Sequence, residues 1–319
     1  MDNISEIANR ANTLRMEYTT AYESDFEEGK KKELEYLELR RKVLSMVDEN
    51  INRQKSIPMK VIEEKVANKP QVKRISTGIN SLDKELVTDA MKMRGVSGGL
   101  ALGSFIQLAG GKGSGKSTIM MKLLTGFSLY EKVCWFDFEM GEDRVVEKLK
   151  VFNYDNEKLL YYSASRKLDD VIDEIKFLST LGVNHFVIDS AMKITVENAD
   201  RYDKFSKISS NLSELTSSLG INIYMINQIS QSADEEQKLS IKHGNDAEYD
   251  ADFIFFVLRL PQRDANGKVI TDDTGTPLID EENRLIRCEK NRQDERLFKV
   301  TIPKYEIITP QPVVVEYEG

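Results

Sequence analysis

The chain has 319 residues, of which 40% are hydrophobic and 31% charged, and this composition is typical of a water-soluble protein of two or three domains. No run approaches 18 apolar residues, and the amino terminus lacks a basic segment followed by an apolar one, so we expect a cytoplasmic protein without a membrane span or signal peptide. Two cysteines exclude a disulfide scaffold and a cysteine-rich zinc site, and a net charge of −8 excludes a generally basic nucleic-acid coat, although not a locally basic channel.

The amino-terminal region, residues 1–55, is predicted to form a helical hairpin. It contains no proline and one glycine, and its apolar residues recur at intervals of three and four. An acidic stretch, Glu23–Gly29, separates the two predicted helices. The hairpin is either a small bundle that packs on its own protein or a module for oligomerisation or partner docking. Residues 56–73 are polar and basic and indicate a linker, with one short helix at Val61–Val66.

Residues 74–319 are predicted to form an α/β domain in which strands and helices alternate. The strand-like runs are apolar throughout, as expected for parallel strands covered on both faces. The predicted strands are 104–109, 133–138, 159–164, 185–189 and 221–226, and the predicted helices are 117–129, 142–150, 168–181 and 205–219.

The carboxyl-terminal part of this domain has a different pattern. Three further strand-like runs, 252–260, 284–290 and 297–303, have no helices between them and predict an antiparallel extension of the sheet. The polar segment 262–283 contains Asn266-Gly267 and predicts a surface hairpin or loop.

The strongest functional signal is GGKGSGKS at 110–117, which matches G-x-x-x-x-G-K-[ST] and lies between a predicted strand and a predicted amphipathic helix. Glycines in such a loop let backbone amides turn toward phosphate oxygens, and the helix N-terminus adds positive potential. We expect Lys116 to neutralise the β- and γ-phosphates of ATP and Ser117 to ligate Mg²⁺. The predicted nucleotide-binding residues are Gly110, Gly111, Lys112, Gly113, Ser114, Gly115, Lys116, Ser117 and Thr118.

A P-loop ATPase also needs an acid near Mg²⁺ and a base for the attacking water. Asp189 ends the apolar run HFVID and is the candidate metal ligand, and because Ser190 follows it we expect the base elsewhere. Glu139 follows VCWFDF and is the preferred base, with Asp137 as a competitor. Gln228 follows INIYMI and can sense the γ-phosphate. These residues end three strands of the predicted sheet, and open α/β sheets bind ligands at that edge.

Several segments together resemble a known family. A base on the strand after the P-loop helix is the arrangement of RecA-like ATPases, and residues 73–303 resemble the motor domain of DnaB-family replicative helicases. WFDFEM resembles the family segment with the catalytic glutamate, which matches Glu139, and INQIS resembles the motif with the sensor glutamine, which matches Gln228. IKHGNDAEYDADFIFFVLR resembles the family segment Glu-Gln-Asp-Ala-Asp before an apolar strand. EKNRQDERLFKV resembles the final Lys-x-Arg motif, which matches Lys290 and Arg292.

The resemblance implies a RecA-like P-loop NTPase core in a ring, most often a hexamer, in a bacterial or phage-infected cell. Such a ring hydrolyses ATP with Mg²⁺, translocates on single-stranded DNA and unwinds duplex DNA in replication. Its implied partners include a primase, a helicase loader or a single-strand-binding protein. Lys290 and Arg292 would reach the nucleotide of the neighbouring subunit. A central-channel loop would place Lys242, His243, Gly244 and Asn245 on DNA, for which the alternative is a solvated surface loop.

Other features leave two alternatives open. The P-loop resembles those of RadA, KaiC and recombinases, and RadA shares the ISTG…LD opening and a Lys-Asn-Arg motif. One alternative is therefore a RadA- or RecA-like recombination or annealing ATPase that binds single-stranded DNA without unwinding it. The other is a KaiC-like ATPase ring that acts on protein.

Overall fold

The amino-terminal region is helical, which confirms the predicted hairpin. The computed structural model describes residues 3–52, 58–67, 74–93, 98–197, 199–229, 241, 245–293, 295–304 and 312–313. The hairpin consists of α1 (Ile4–Ser24) and α2 (Phe26–Asn52), and α3 (Met59–Ala67) is the short helix predicted to follow it.

The break between α1 and α2 is a single residue, Asp25, so the longer break predicted at Glu23–Gly29 is wrong. The Oδ1 atom of Asp25 accepts hydrogen bonds from two backbone N–H groups of the first turn of α2, at 3.0 and 3.2 Å, and thereby caps this helix. Gly29 lies inside α2, where a Cβ atom would lie 2.8 Å from the ring of Tyr22. This glycine therefore permits a close approach of the two helices and does not end a helix.

From Arg74 onward, strands and helices alternate as predicted. The first elements are β1 (Arg74–Ile75), α4 (Asn80–Glu85), α5 (Asp89–Met93), β2 (Leu100–Ala101), β3 (Phe105–Gly110), α6 (Lys116–Ser128), β4 (Lys132–Asp137) and α7 (Glu142–Leu149). They are followed by β5 (Leu159–Tyr162), α8 (Leu168–Thr180), β6 (Val183–Asp189), α9 (Arg201–Leu219), β7 (Asn222–Gln228), α10 (Asn245–Asp250), β8 (Phe253–Pro261), β9 (Ile279–Asn291), β10 (Phe298–Pro303) and β11 (Pro312–Val313).

The main sheet has eight strands in the order β10-β9-β8-β3-β7-β6-β4-β5. Strands β8, β3, β7 and β6 pair in parallel, as do β4 and β5, whereas β9 and β10 are antiparallel. A second, three-stranded antiparallel sheet has the order β11-β1-β2. The predicted α/β fold, with a mainly parallel sheet and an antiparallel carboxyl-terminal extension, is confirmed.

The sheet is buried along its central strands, as their uninterrupted apolar sequences require. All six residues of β3 are buried, and β7 and β6 are buried over nearly their full length. Helix α6 packs against β3, β4 and β5, and α9 packs against β3 and β7. The parallel pairing brings the carboxyl ends of β3, β7 and β6 to one edge of a rigid core.

Contacts divide the chain into two compact units, residues 1–70 with 169–183 and residues 71–168 with 184–319. In the first unit, α8 joins the hairpin through the buried carboxylate of Glu174. Its two oxygens accept hydrogen bonds from Arg15 at 2.7 Å and from Arg40 at 3.2 Å. The paired guanidinium groups offset the free-energy cost of removing this carboxylate from water.

The segment between β8 and β9 forms two successive exposed turns, where the sequence predicted a hairpin or loop. In each turn an aspartate, Asp264 or Asp272, accepts two backbone N–H hydrogen bonds through Oδ1. Gly267 and Gly275 have φ angles of 80° and 81°, a left-handed conformation that favours glycine. Within the described part of the chain, no helix is long and apolar enough to span a membrane.

Candidate active site

The P-loop connects the carboxyl end of β3 to the first turn of α6. Gly113 and Gly115 have φ angles of 73° and 98°, so the loop needs glycine at both positions. A Cβ atom on Gly110 would lie 2.6 Å from both the Ser114 hydroxyl and the Val257 carbonyl, which shows how tightly the loop is packed. The resulting geometry places backbone amides and the N-terminus of a 13-residue helix at one anion-binding point.

Lys116 lies inside this loop. Its Nζ atom donates hydrogen bonds to the carbonyl oxygens of Gly110 at 2.9 Å and Gly111 at 2.8 Å. Burial lowers the pKa of Lys116, and the nearby carboxylates of Asp189 and Glu139 oppose this shift. A polyphosphate in the loop would supply the negative charge that the buried ammonium group needs.

Asp189 ends β6 beside the P-loop and is almost completely buried. Burial raises the pKa of Asp189 to about 6, while a hydrogen bond from Ser117 and the charge of Lys116 act in the opposite direction. The Oδ2 atom is buried and has no hydrogen-bond partner among the residues that the structure describes. A buried carboxylate oxygen of this kind, next to a hydroxyl group, fits a hard divalent cation such as Mg²⁺.

The structure distinguishes the two carboxylates that follow β4. Asp137 is buried and accepts backbone hydrogen bonds from Glu139, Met140 and Gly141 at 3.1, 2.9 and 2.6 Å. It also accepts a hydrogen bond from the hydroxyl group of Tyr161 at 3.0 Å. Asp137 thus holds the turn after β4, and this turn presents the exposed Glu139 at the edge of the sheet.

Strand order brings the remaining predicted groups to the P-loop. Gln228 is the register partner of Gly110 across β3 and β7. The backbone N–H of Phe138 donates to the carbonyl oxygen of Asp189 at 2.7 Å, which fixes the end of β4 beside the end of β6. Three neighbouring strands, β7, β6 and β4, therefore each end with a polar side chain near the loop.

These groups surround a single cavity of about 380 Å³. Lys116, Ser117 and Thr118 line it from the P-loop, and Glu139, Asp189 and Gln228 line it from the strand ends. The cavity therefore combines an anion cradle, a candidate metal ligand and a carboxylate that can accept a proton from water. The sequence predicted this juxtaposition, and the catalytic roles of the residues stay predictions.

Lys290 and Arg292 lie away from this cavity, near the opposite edge of the sheet. The backbone N–H of Arg292 donates to Asp252, and the N–H of Asp252 donates to Phe105, the first residue of β3. The length of β3 thus separates Arg292 from the P-loop of its own chain, a distance of roughly 17 Å along the strand. Lys290 Nζ donates to the carbonyl oxygens of Glu248 at 2.6 Å and Tyr249 at 2.8 Å, and Arg292 also donates to Tyr249.

The predicted DNA-binding residues Lys242, His243 and Gly244 lie outside the described residues. Asn245, the fourth predicted position, is the first residue of α10. The DNA contact assigned to these four positions stays a prediction.

Three cationic residues at the P-loop were missed by the sequence analysis. Arg284 is completely buried, and its Nε atom donates to the carbonyl oxygen of Ser114 at 2.8 Å. Arg259 donates to the carbonyl oxygens of Lys112 at 3.0 Å and of the next residue at 3.3 Å. Lys304 lines the cavity. The available signal was the presence of arginines within apolar strand sequences, since a buried charge needs a partner.

Comparisons with solved structures place this fold among ATPases. The ATPase domain of a DnaB-family helicase aligns with a TM-score of 0.54 and 16% sequence identity, over 76% of this chain and 92% of that domain. A KaiC-like protein from the hyperthermophilic archaeon Pyrococcus horikoshii aligns with a TM-score of 0.52 and 18% identity, over 73% of this chain and 94% of that protein. No protein-family model and no curated protein sequence matches the chain. The fold is that of the RecA-like ATPases, as the resemblance implied.

The raised pKa of Asp189 predicts a pH-dependent effect of Asp189→Asn on stability. Between pH 3.8 and about 6, the unfolded carboxyl group loses its proton before the folded one, so ionisation of Asp189 destabilises the nucleotide-free protein as pH rises. Asp189→Asn should increase the free energy of unfolding by about 3 kcal/mol at pH 8 and by about half of that at pH 5. Urea denaturation followed by the fluorescence of Trp135 measures both values. Equal effects at the two pH values would contradict this assignment.

Proposed function

We propose that this protein hydrolyses ATP at the P-loop cavity. The observation that carries the proposal is the convergence of Glu139, Asp189 and Gln228 on the P-loop, at the carboxyl edge of a RecA-like sheet. Lys116 and the loop amides would hold the phosphates, and Ser117 and Asp189 would hold Mg²⁺. When bound, this cation supplies positive charge at the phosphate oxygens.

Glu139 would orient the attacking water and accept its proton. The carboxylate of Glu139 is exposed and lines the cavity, whereas that of Asp137 accepts three backbone amides and a tyrosine hydroxyl. Gln228, a neutral amide opposite Gly110, can form a hydrogen bond to the γ-phosphate without adding charge. Hydrolysis removes that group, so Gln228 would respond to the state of the nucleotide.

Glu139→Gln should retain ATP binding and reduce turnover by ~10²–10⁴-fold, because the amide cannot accept the proton of water. Steady-state ATPase rates and equilibrium binding of a fluorescent ATP analogue separate the two effects. Asp137→Asn is the matched control, and it should lower thermal stability more than turnover, since it weakens the turn after β4. Normal hydrolysis by Glu139→Gln together with inactivity of Asp137→Asn would exchange their roles.

We further propose that Lys290 and Arg292 complete the active site of a neighbouring subunit. Both residues lie near the amino edge of their own sheet, so neither can reach the γ-phosphate in its own chain. Burial lowers the pKa of Lys290, and the charge of Arg292 adds to this effect. Two adjacent cations near a protein edge can stabilise the charge that develops on a transferred phosphate of another subunit.

Arg292→Ala should bind ATP but hydrolyse it about 10³-fold more slowly. Mixing this variant with Lys116→Ala should restore part of the activity, because some interfaces then pair an intact P-loop with an intact arginine. Lys290→Ala should have the smaller effect. ATPase assays across mixing ratios test the proposal, and full turnover by a monomeric wild-type protein would contradict it.

We propose that the ATPase is a hexameric, ring-shaped DNA helicase, an assignment favoured by the resemblance to DnaB-family motor domains. Lys290 and Arg292 support this assignment, because their position requires assembly for activity. A recombination or annealing ATPase would bind single-stranded DNA without unwinding a forked duplex. A ring acting on protein would hydrolyse ATP without stimulation by DNA.

The segment before α10 provides the test of DNA binding. Replacing Lys242 and His243 by Ala should reduce DNA-stimulated ATP hydrolysis and forked-duplex unwinding together. With one phosphate contact in each of six subunits and ~0.7 per contact, the slope of log affinity against log salt should flatten by up to about four units. Lys268→Ala, in the exposed turn after β8, is the control. Unchanged affinity and salt slope in the double variant would place the DNA site elsewhere.

A further inference from the structure

We infer that Lys304 is a second nucleotide-binding lysine, which contacts the phosphates held by the P-loop of its own chain. The inference rests on the proposed function of the cavity as a nucleotide site. It adds a contact from the end of β10, far along the chain from the P-loop sequence. Lys304 lines the same cavity as Lys116, Ser117 and Thr118.

Two hydrogen bonds fix the backbone that carries Lys304. The preceding carbonyl oxygen, of Pro303, accepts a hydrogen bond at 2.7 Å from Lys122, a fully buried lysine on the P-loop helix α6. The backbone N–H of Lys304 donates to the carbonyl oxygen of Glu282 at 2.7 Å. The end of β10 is thus attached to the helix whose N-terminus forms the anion site.

The side chain of Lys304 lies against the P-loop. Its Cε atom is 3.5 Å from the position that a Cβ atom on Gly115 would occupy, and only 11% of the side chain is exposed. Its ammonium group forms an ion pair at 3.6 Å with Glu281, whose side chain is 71% exposed and also accepts a hydrogen bond from Arg284. Because this carboxylate is solvated and shared, it is a weak partner for a buried ammonium group. A phosphate group inside the cavity is a stronger one.

The position beside Gly115 identifies which part of the nucleotide Lys304 contacts. The amides of a P-loop surround the α- and β-phosphates, whereas the γ-phosphate lies toward the catalytic and sensor groups. In this structure those groups, Glu139 and Gln228, come from the ends of β4 and β7. Lys304 comes instead from β10, and its contact is therefore with the phosphates that ATP and ADP have in common.

The experiment compares nucleotide affinities of full-length variants. Lys304→Met keeps most of the side-chain volume and removes the charge, and it should weaken binding of ADP and of a slowly hydrolysed ATP analogue by the same factor, about tenfold or more. Lys304→Arg should retain most of the affinity. Lys299→Met, at an exposed position of the same strand, is the control and should bind as wild type does. Fluorescent-nucleotide titrations measure the affinities, and thermal unfolding verifies that each variant is folded.

A second variant tests the inference without altering Lys304. Glu281→Gln removes the competing carboxylate and should tighten the binding of both nucleotides severalfold, whereas a purely structural ion pair predicts no gain. Affinities of Lys304→Met within twofold of wild type would overturn the inference, and so would a loss confined to the ATP analogue. If the wild-type protein binds neither nucleotide, or if Lys116→Ala binds them equally well, the proposed function itself fails.

Discussion

The electrostatic incompleteness of the P-loop cavity is the constraint on which the functional argument depends. Asp189 and Lys116 are both buried there, and burial shifts the pKa of each toward its neutral form, up for the acid and down for the base. Their mutual attraction opposes both shifts but does not cancel them. A cation beside Asp189 and a polyphosphate beside Lys116 would favour both charged forms at once. The unliganded site therefore carries a free-energy cost that a metal–nucleotide complex can remove.

Strand β9 connects this site to the residues proposed to act on a neighbour. Near its beginning, Arg284 holds the carbonyl oxygen of Ser114, and near its end are Lys290 and Arg292. Its 13 residues span about 40 Å and pair with β8 on one side and β10 on the other, so the strand is braced along most of its length. A shift of the P-loop on nucleotide binding would meet one end of a stiff element whose other end faces a different subunit.

The sequence could predict features whose contacts are local. The P-loop was predictable because its glycines, lysine and serine act within eight consecutive residues, and the strand ends were predictable because apolar runs stop there. The choice between Asp137 and Glu139 was not, since alternation along a strand places both on one side. The three backbone amides that bind Asp137 belong to a turn that only the folded chain defines.

The contacts of the cationic residues are beyond such local analysis. Arg284 binds a P-loop carbonyl 170 residues earlier in the chain, and Arg259 binds one 147 residues earlier. The register of β8 and β9 places these two arginines opposite each other beside the loop, and a one-residue shift would turn their side chains to the other face. Their function therefore depends on a pairing that no short sequence window specifies.

The contacts of Lys290 and Arg292 add a condition to the proposed action between subunits. Both side chains donate to the carbonyl oxygen of Tyr249 in the last turn of α10, and Lys290 also donates to Glu248. A donor that turns to a neighbour's phosphate must give up these carbonyl groups, since the same N–H groups cannot serve both. Nucleotide binding in one subunit would then compete with the attachment of α10 in the next. Because α10 begins at Asn245, this competition would act on the segment proposed to bind DNA and would couple it to the nucleotide of the adjacent subunit.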